Sequence, residues 1–262
     1  MSEVRTYSSR QAASRALAKF VATTSETATS LRGRYTLALA GGNSPREAYK
    51  LMGDEFGEAI DWQRIHVFWG DERMVPYEHP DNNSKMARET MLNFVPLSVN
   101  NVHRVSTYLE PEAAAAQYQQ ELRHVFGTKT LPRFDTIILG MGADGHTASL
   151  FPGTSALEEQ ERWVVTNYVE ALNSWRITMT LPVLNAAANI VFFVLGADKA
   201  DALAHIIQRT ELGQLLPAGR VMPEKGKVTW IVDENAAQLL QTEMPKMIDR
   251  GESEESSVDE TP

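Results

Sequence analysis

Three stretches of this chain, IILG (137–140), IVFFVL (190–195) and VTWIV (228–232), are nearly unbroken apolar runs flanked by helix-patterned segments. A strand with one wet face alternates apolar and polar residues. A continuous apolar run must be covered on both faces. Strands of this kind alternating with helices predict an α/β fold: a mostly parallel sheet with helices on both faces. The full reading places strands at 35–40, 65–69, 134–140, 163–168, 175–181, 189–196 and 227–233, with a short strand at NVHRV. Helices are expected over 8–31, from NSPREAYKLM, DNNSKMARETML, PEAAAAQYQQELRHVF and ADKADALAHIIQR, and after the last strand. In sheets of this type ligands bind at the carboxyl ends of the strands. The chemistry should therefore lie just after Ala40, Trp69, Leu139 and Leu195.

The 262 residues show no internal repeat and no linker that would divide 1–250, so a single domain is expected there. The segment GESEESSVDETP (251–262) is acidic and almost without apolar residues, and is expected to be a disordered tail. A net charge of -9 argues against a nucleic-acid or anionic-membrane partner. It leaves room for a small anionic ligand, because local fields decide that. With no cysteine there is no thiolate nucleophile, thiolate metal ligand or disulfide. The histidines at 66, 79, 103, 124, 146 and 205 show no metal-ligand spacing, and nothing asks for a metal or a cofactor. MSEVRTYSSRQAAS has no apolar signal core, and no apolar run nears the ~18–20 residues of a membrane span. A cytoplasmic location is expected. No extended oligomerisation element is visible, so a monomer is expected.

The run DTIILGMGADGHTASLFPG holds Gly140, Gly142 and Gly145 in the G-x-G-x-x-G spacing of a dinucleotide fingerprint. That fingerprint needs a full crossover helix and then an acidic residue about 20 positions on. Pro152 and Gly153 leave room for no more than about two helical turns before the next strand. The nucleotide reading is set aside. What remains is a glycine loop carrying Asp144 and His146 at a strand's carboxyl end. Taken alone, Asp144-Gly145 is just a turn and His146 the start of a helix.

The other strand ends change that balance. Gly41, Gly42, Asn43 and Ser44 stand at a strand-to-helix junction, where free N–H groups favour a phosphate or carboxylate. Asn43 or Ser44 could equally cap the helix, and the two roles are compatible. Asp71, Glu72 and Arg73 follow the second strand. They are either a solvated loop or a sugar-binding carboxylate and a phosphate-pairing guanidinium. HPDNNSK (79–85), which includes Asn83, could be a cap alone. Arg176, among apolar residues, needs an anionic partner from protein or ligand. Lys199 lies in a first helical turn, where the helix dipole disfavours a cation. It is either functional or simply exposed. There is no P-loop and no G-x-S-x-G elbow.

Together, LALAGGNSP, VFWGDERMVP, DNNSKMARETML, ILGMGADGHTASLFPG, RITMTLP, LGADKADAL and LPAGRVMP…GKVTWIVDENAA occur in an order that resembles the glucosamine-6-phosphate isomerase/6-phosphogluconolactonase family, and its lactonase branch in particular. The resemblance covers roughly residues 8–240. It implies a Rossmann-like sugar-phosphate isomerase (deaminase-like) fold and hydrolysis of 6-phosphoglucono-1,5-lactone. It also implies His146 as general base on water, with Asp144 orienting the loop or the imidazole. Gly41, Gly42, Asn43, Ser44, Asp71, Arg73, Asn83, Gly142, Arg176 and Lys199 become the expected substrate- and phosphate-binding residues. The family's usual S-G-G-S-T-P is A-G-G-N-S-P here and its D-S-N is D-N-N, so hydroxyls are missing at Ala40 and Asn82. The deaminase branch usually carries M-D-E-Y and G-H-I-A-F-N-E-P, where this chain has W-G-D-E-R-M-V-P and G-H-T-A-S-L-F-P-G. A non-catalytic sugar-phosphate sensor would usually carry an N-terminal helix-turn-helix, and residues 1–34 hold one predicted helix.

Overall fold

The computed structural model describes residues 2–240. The acidic tail at 251–262, and the end of the domain expected over 1–250, lie outside the described residues. Along the chain come β1 (Ser2–Tyr7), α1 (Arg10–Arg32), β2 (Tyr35–Leu39), α2 (Arg46–Asp54), β3 (Ile65–Trp69) and β4 (Asp71–Arg73). Then follow α3 (Asn83–Thr90), α4 (Pro111–Phe126), β5 (Thr136–Leu139), β6 (Val164–Val169) and β7 (Ser174–Met179). The last are α5 (Leu181–Ala186), β8 (Asn189–Val194), α6 (Ala200–Ile207), α7 (Glu211–Leu215), β9 (Lys227–Asp233) and α8 (Glu234–Ala237).

The main sheet has the order β1-β9-β8-β5-β2-β3 with every neighbour parallel. Its two faces explain the unbroken apolar runs. Ile137 and Phe192 pack on one side with α4, α5 and α6. Their neighbours Ile138 and Phe193 pack on the other with α1 and α2. Successive strand residues point to opposite faces, so both must be apolar. The chain runs from β2 outward to β3 and then back across to β5, so β2 and β5 mark the point where the winding reverses. The crevice at such a point is where this architecture holds ligands.

Three expectations are corrected. The strands expected at 163–168 and 175–181 exist but lie outside the parallel sheet; with β4 they form a second, antiparallel sheet of order β4-β7-β6. A tight turn with Asn173 in the left-handed region joins β6 to β7, and a connection that short permits only antiparallel pairing. NVHRV is not a strand. It contributes one bridge, Val67 to Val102, beside the edge strand β3. The N-terminal strand β1 was not anticipated, because SEVRTY is mostly polar and only half-buried at the sheet's edge. Among the described residues no helix is long and apolar enough to cross a membrane.

Candidate active site

A cleft of about 240 Å³ opens at the carboxyl ends of β2, β3, β5 and β8. Gly41, Gly42, Asn43, Ser44, Asp71, Arg73, Gly142, His146 and Lys199 line it. All four strand ends singled out in the sequence thus meet at one place.

The β2 end is fixed by a tyrosine. The Tyr49 hydroxyl accepts the Ala40 N–H and donates to the Ala40 carbonyl. Beyond it the chain turns through Gly42 at φ 84°, a conformation that favours glycine. Pro45 occupies the cap position of α2, and among the described residues no side chain caps its first turn. The capping alternative for Asn43 and Ser44 is therefore not realised. The first-turn N–H groups have no side-chain partner, which leaves them available to an anion. Gly41 must be glycine for another reason: a Cβ there would lie 1.9 Å from Asn83 Oδ1. Asn83 does not line the cleft. Its buried amide donates to the Asp71 carbonyl at 2.9 Å, and its Oδ1 has no hydrogen-bond partner among the described residues.

The β3 end carries the same device. The Tyr118 hydroxyl bridges the N–H and C=O of Trp69. Past Gly70 the Asp71 carboxylate accepts from the buried Ser149 hydroxyl at 2.6 Å. Arg73 and Arg176 are direct partners across β4 and β7. The Nε of each is buried without a partner, and neither makes an ion pair among the described residues. Arg73 does donate from Nη1 to the Asp81 carbonyl. Burial and the adjacent Arg73 guanidinium pull the Arg176 pKa down, against Asp71, Asp81 and Glu72. Two guanidiniums side by side without a carboxylate partner form a wall that an incoming anion would relieve. Arg176 stands beside the cleft rather than lining it.

The β5 end holds the DGH loop as a set of turns, with no helix in it. Its shape comes from Gly145 donating to the Gly142 carbonyl, Gly142 donating to the His146 carbonyl, and Gly145 at φ 76°. Asp144 Oδ1 accepts the His146 backbone N–H and sits 2.6 Å from the same residue's Nδ1. An ionised carboxylate only accepts, so Nδ1 carries the hydrogen, and in the neutral ring Nε2 is then the acceptor. Nε2 has no partner among the described residues. The ring stacks on Phe151 at 4.1 Å and 22°. Gly142 makes room for this pair: a Cβ would meet Nδ1 at 2.1 Å and Asp144 Oδ1 at 2.5 Å. Asp144 itself faces a shallower groove shared with Phe151 and Trp175. At the β8 end Lys199 reaches the cleft while pairing with Asp198 at 2.7 Å.

Sequence reasoning missed Tyr49, Tyr118, Ser149 and Phe151, and weighed Glu72 only as part of the D-E-R run. For the tyrosines a signal was present: a tyrosine on the buried stripe of a helix needs a partner for its hydroxyl.

The sequence matches the family described as glucosamine-6-phosphate isomerases/6-phosphogluconolactonase over residues 8–230. It is 39% identical over 233 residues to 6-phosphogluconolactonase 3, chloroplastic, of Arabidopsis thaliana, covering 86% of this chain and 71% of that one. It is 40% identical over 212 residues to the 6-phosphogluconolactonase of Synechocystis, covering 80% and 86%. The solved 6-phosphogluconolactonase of Trypanosoma brucei superposes with a TM-score of 0.79 at 27% identity, covering 92% of this chain and 99% of that one.

Proposed function

The chain belongs to the glucosamine-6-phosphate isomerase/6-phosphogluconolactonase family, and from that premise we propose that it hydrolyses 6-phospho-D-glucono-1,5-lactone to 6-phospho-D-gluconate in the oxidative pentose phosphate pathway. The observation that carries the mechanism is the Asp144–His146 pair, 2.6 Å apart with the imidazole on the cleft wall. Its unprotonated Nε2 takes a proton from water as the water oxygen bonds to C1 of the lactone. The C1–ring-oxygen bond then breaks, and the imidazolium returns the proton to the departing oxygen. A lactone is an activated ester, so no covalent nucleophile is needed. Asp144 holds the tautomer and stabilises the transient imidazolium. The α2 N-terminus with Gly41, Gly42, Asn43 and Ser44, and the cations Arg73, Arg176 and Lys199, anchor the phosphate. Asp71 and Gly142 shape the sugar site, with Asn83 behind it against the Asp71 carbonyl and Gly41. Remote anchoring of this kind places C1 within reach of the water.

The test is hydrolysis of freshly made lactone, read by coupled oxidation of 6-phosphogluconate with the spontaneous rate subtracted. A wild-type rate well above background that falls about 10²–10⁴-fold in His146→Ala, with KM little changed, is expected. Near-normal turnover in His146→Ala would overturn the base assignment. No excess over background, or ammonia release from glucosamine 6-phosphate, would overturn the activity. The proposed working form is a cytoplasmic monomer, which light scattering checks for assembly.

A further inference from the structure

A carboxylate that takes no part in this reaction lies just behind the cleft. Glu72 is 1% exposed. Its Oε1 accepts the N–H of Arg73 at 2.9 Å and of Asn83 at 2.7 Å, and its Oε2 accepts the N–H of Ser84 at 2.9 Å. Asn83 and Ser84 open α3, whose Asn82 cap takes the next N–H, from Lys85. One side chain thus ties β4 to the start of a helix eleven residues further on. Burying a carboxylate is costly, and a plain helix start is satisfied by the Asn82 cap without it.

Two residues held by this clamp meet the cleft or its wall. Arg73 lines the cleft. Asn83 donates to the Asp71 carbonyl, and its Oδ1 fills the space that a side chain on Gly41 would take. The Asn83 amide is therefore wedged between β4 and the glycine loop. We propose that Glu72 is a positioning residue for the substrate's phosphate: its carboxylate clamps the start of α3, and so fixes Arg73 and, through Asn83, the Gly41–Ser44 loop. This rests on the reading of that loop as the phosphate site.

The clamp needs the charged form. An ionised carboxylate accepts at both oxygens, whereas a protonated one turns a hydrogen toward one of its N–H partners. Burial, with Asp71 adding to it, pushes the Glu72 carboxyl up to about 7 against the pull of the three N–H groups. The charged and titratable groups facing it are Asp71 on β4, Arg176 on β7 and the Tyr118 hydroxyl on α4, while Arg73 meets it through its backbone N–H. Arg176 favours the carboxylate, and burial keeps Tyr118 protonated throughout. Phosphate affinity should thus weaken as pH falls through about 7.

The experiment compares wild type with Glu72→Gln, using the lactone as substrate and inorganic sulfate as a competing anion. Sulfate keeps its charge across this pH range, unlike phosphate, which titrates near pH 6. At pH 8 the variant should show KM and the sulfate inhibition constant raised about tenfold, with kcat within about twofold. The sulfate constant should lose its dependence on pH near 7. Unchanged constants, or a fall in kcat and thermal stability with KM untouched, would mean that Glu72 only supports the fold and would overturn the inference. Should the variant not fold, the wild-type sulfate profile decides: weaker inhibition below pH 7 supports the clamp, and flat or stronger inhibition overturns it. Failure of sulfate to compete with the wild type would overturn the anion reading of the loop, and the clamp's role with it.

Discussion

The Tyr49 hydroxyl accepts the Ala40 N–H at 2.9 Å and donates to the Ala40 carbonyl at 2.8 Å, so a side chain replaces the neighbouring strand at the point where β2 leaves the sheet. Tyr118 does the same for Trp69, at 2.9 Å in both directions. Both tyrosines are fully enclosed, and burial raises both pKa values, so the hydroxyls stay donors at any working pH. Tyr49→Phe keeps the ring and strands two buried backbone groups. It should cost about 1–3 kcal/mol of stability, measured by urea denaturation. It should also raise KM, because the loosened segment leads directly into Gly41 and Gly42.

Gly142→Ala should uncouple the Asp144–His146 pair. The added methyl would lie 2.1 Å from Nδ1 and 2.5 Å from Oδ1, and φ at Gly142 is not positive, so the backbone accepts alanine. The strain is relieved by turning the imidazole off the carboxylate. A loss of roughly 10²-fold in kcat is expected, as for a misplaced catalytic group. The melting temperature should stay close to wild type. Turnover at the wild-type rate would show that the pair's alignment does not limit the reaction.

Much of this site was legible in the sequence because two separate regularities agree. Unbroken apolar runs fix a doubly covered parallel sheet, and that sheet directs ligands to its strand ends. Gly41, Asp71, His146 and Lys199 are far apart in sequence, yet each follows such an end. What escaped notice depends on tertiary contact. SEVRTY has no apolar pattern to betray a strand, because an edge strand takes its pairing from β9 and buries its side chains only in part. The D-E-R run reads as a solvated loop or a ligand contact, and nothing in it reveals that α3 closes over the Glu72 carboxylate. Asn83 was expected in the site, but its contact with Gly41 was not, since nothing in D-N-N reveals which loop lies opposite.

Arg176→Met should separate binding from stability. The guanidinium is partly buried beside Arg73 with no ion pair of its own, and its lowered pKa marks a charge that folding does not favour. Removing it should leave the melting temperature unchanged or higher. KM for the lactone should rise, most steeply at low salt, where the lost charge is least screened. Inorganic phosphate should raise the melting temperature of the wild type more than that of the variant, since only binding to the folded form stabilises. An equal shift in both would place the phosphate away from Arg176.

Glu72 should also leave a mark on stability against pH. Burial pushes its carboxyl up to about 7 in the folded chain, from the ordinary 4.5 of the unfolded one. A raised folded pKa means that the folded state holds its proton more tightly. This contribution is fully present below about 4.5 and is lost as pH rises through about 7. The wild type should therefore lose stability across that window relative to Glu72→Gln, which has no proton to lose. Urea midpoints at pH 5 and pH 8 measure it: the difference between the two proteins should move in the variant's favour at the higher pH. The same ionisation is expected to tighten phosphate binding. Stability and affinity should thus respond to pH with opposite signs, a pattern that a carboxylate serving only the fold would not produce.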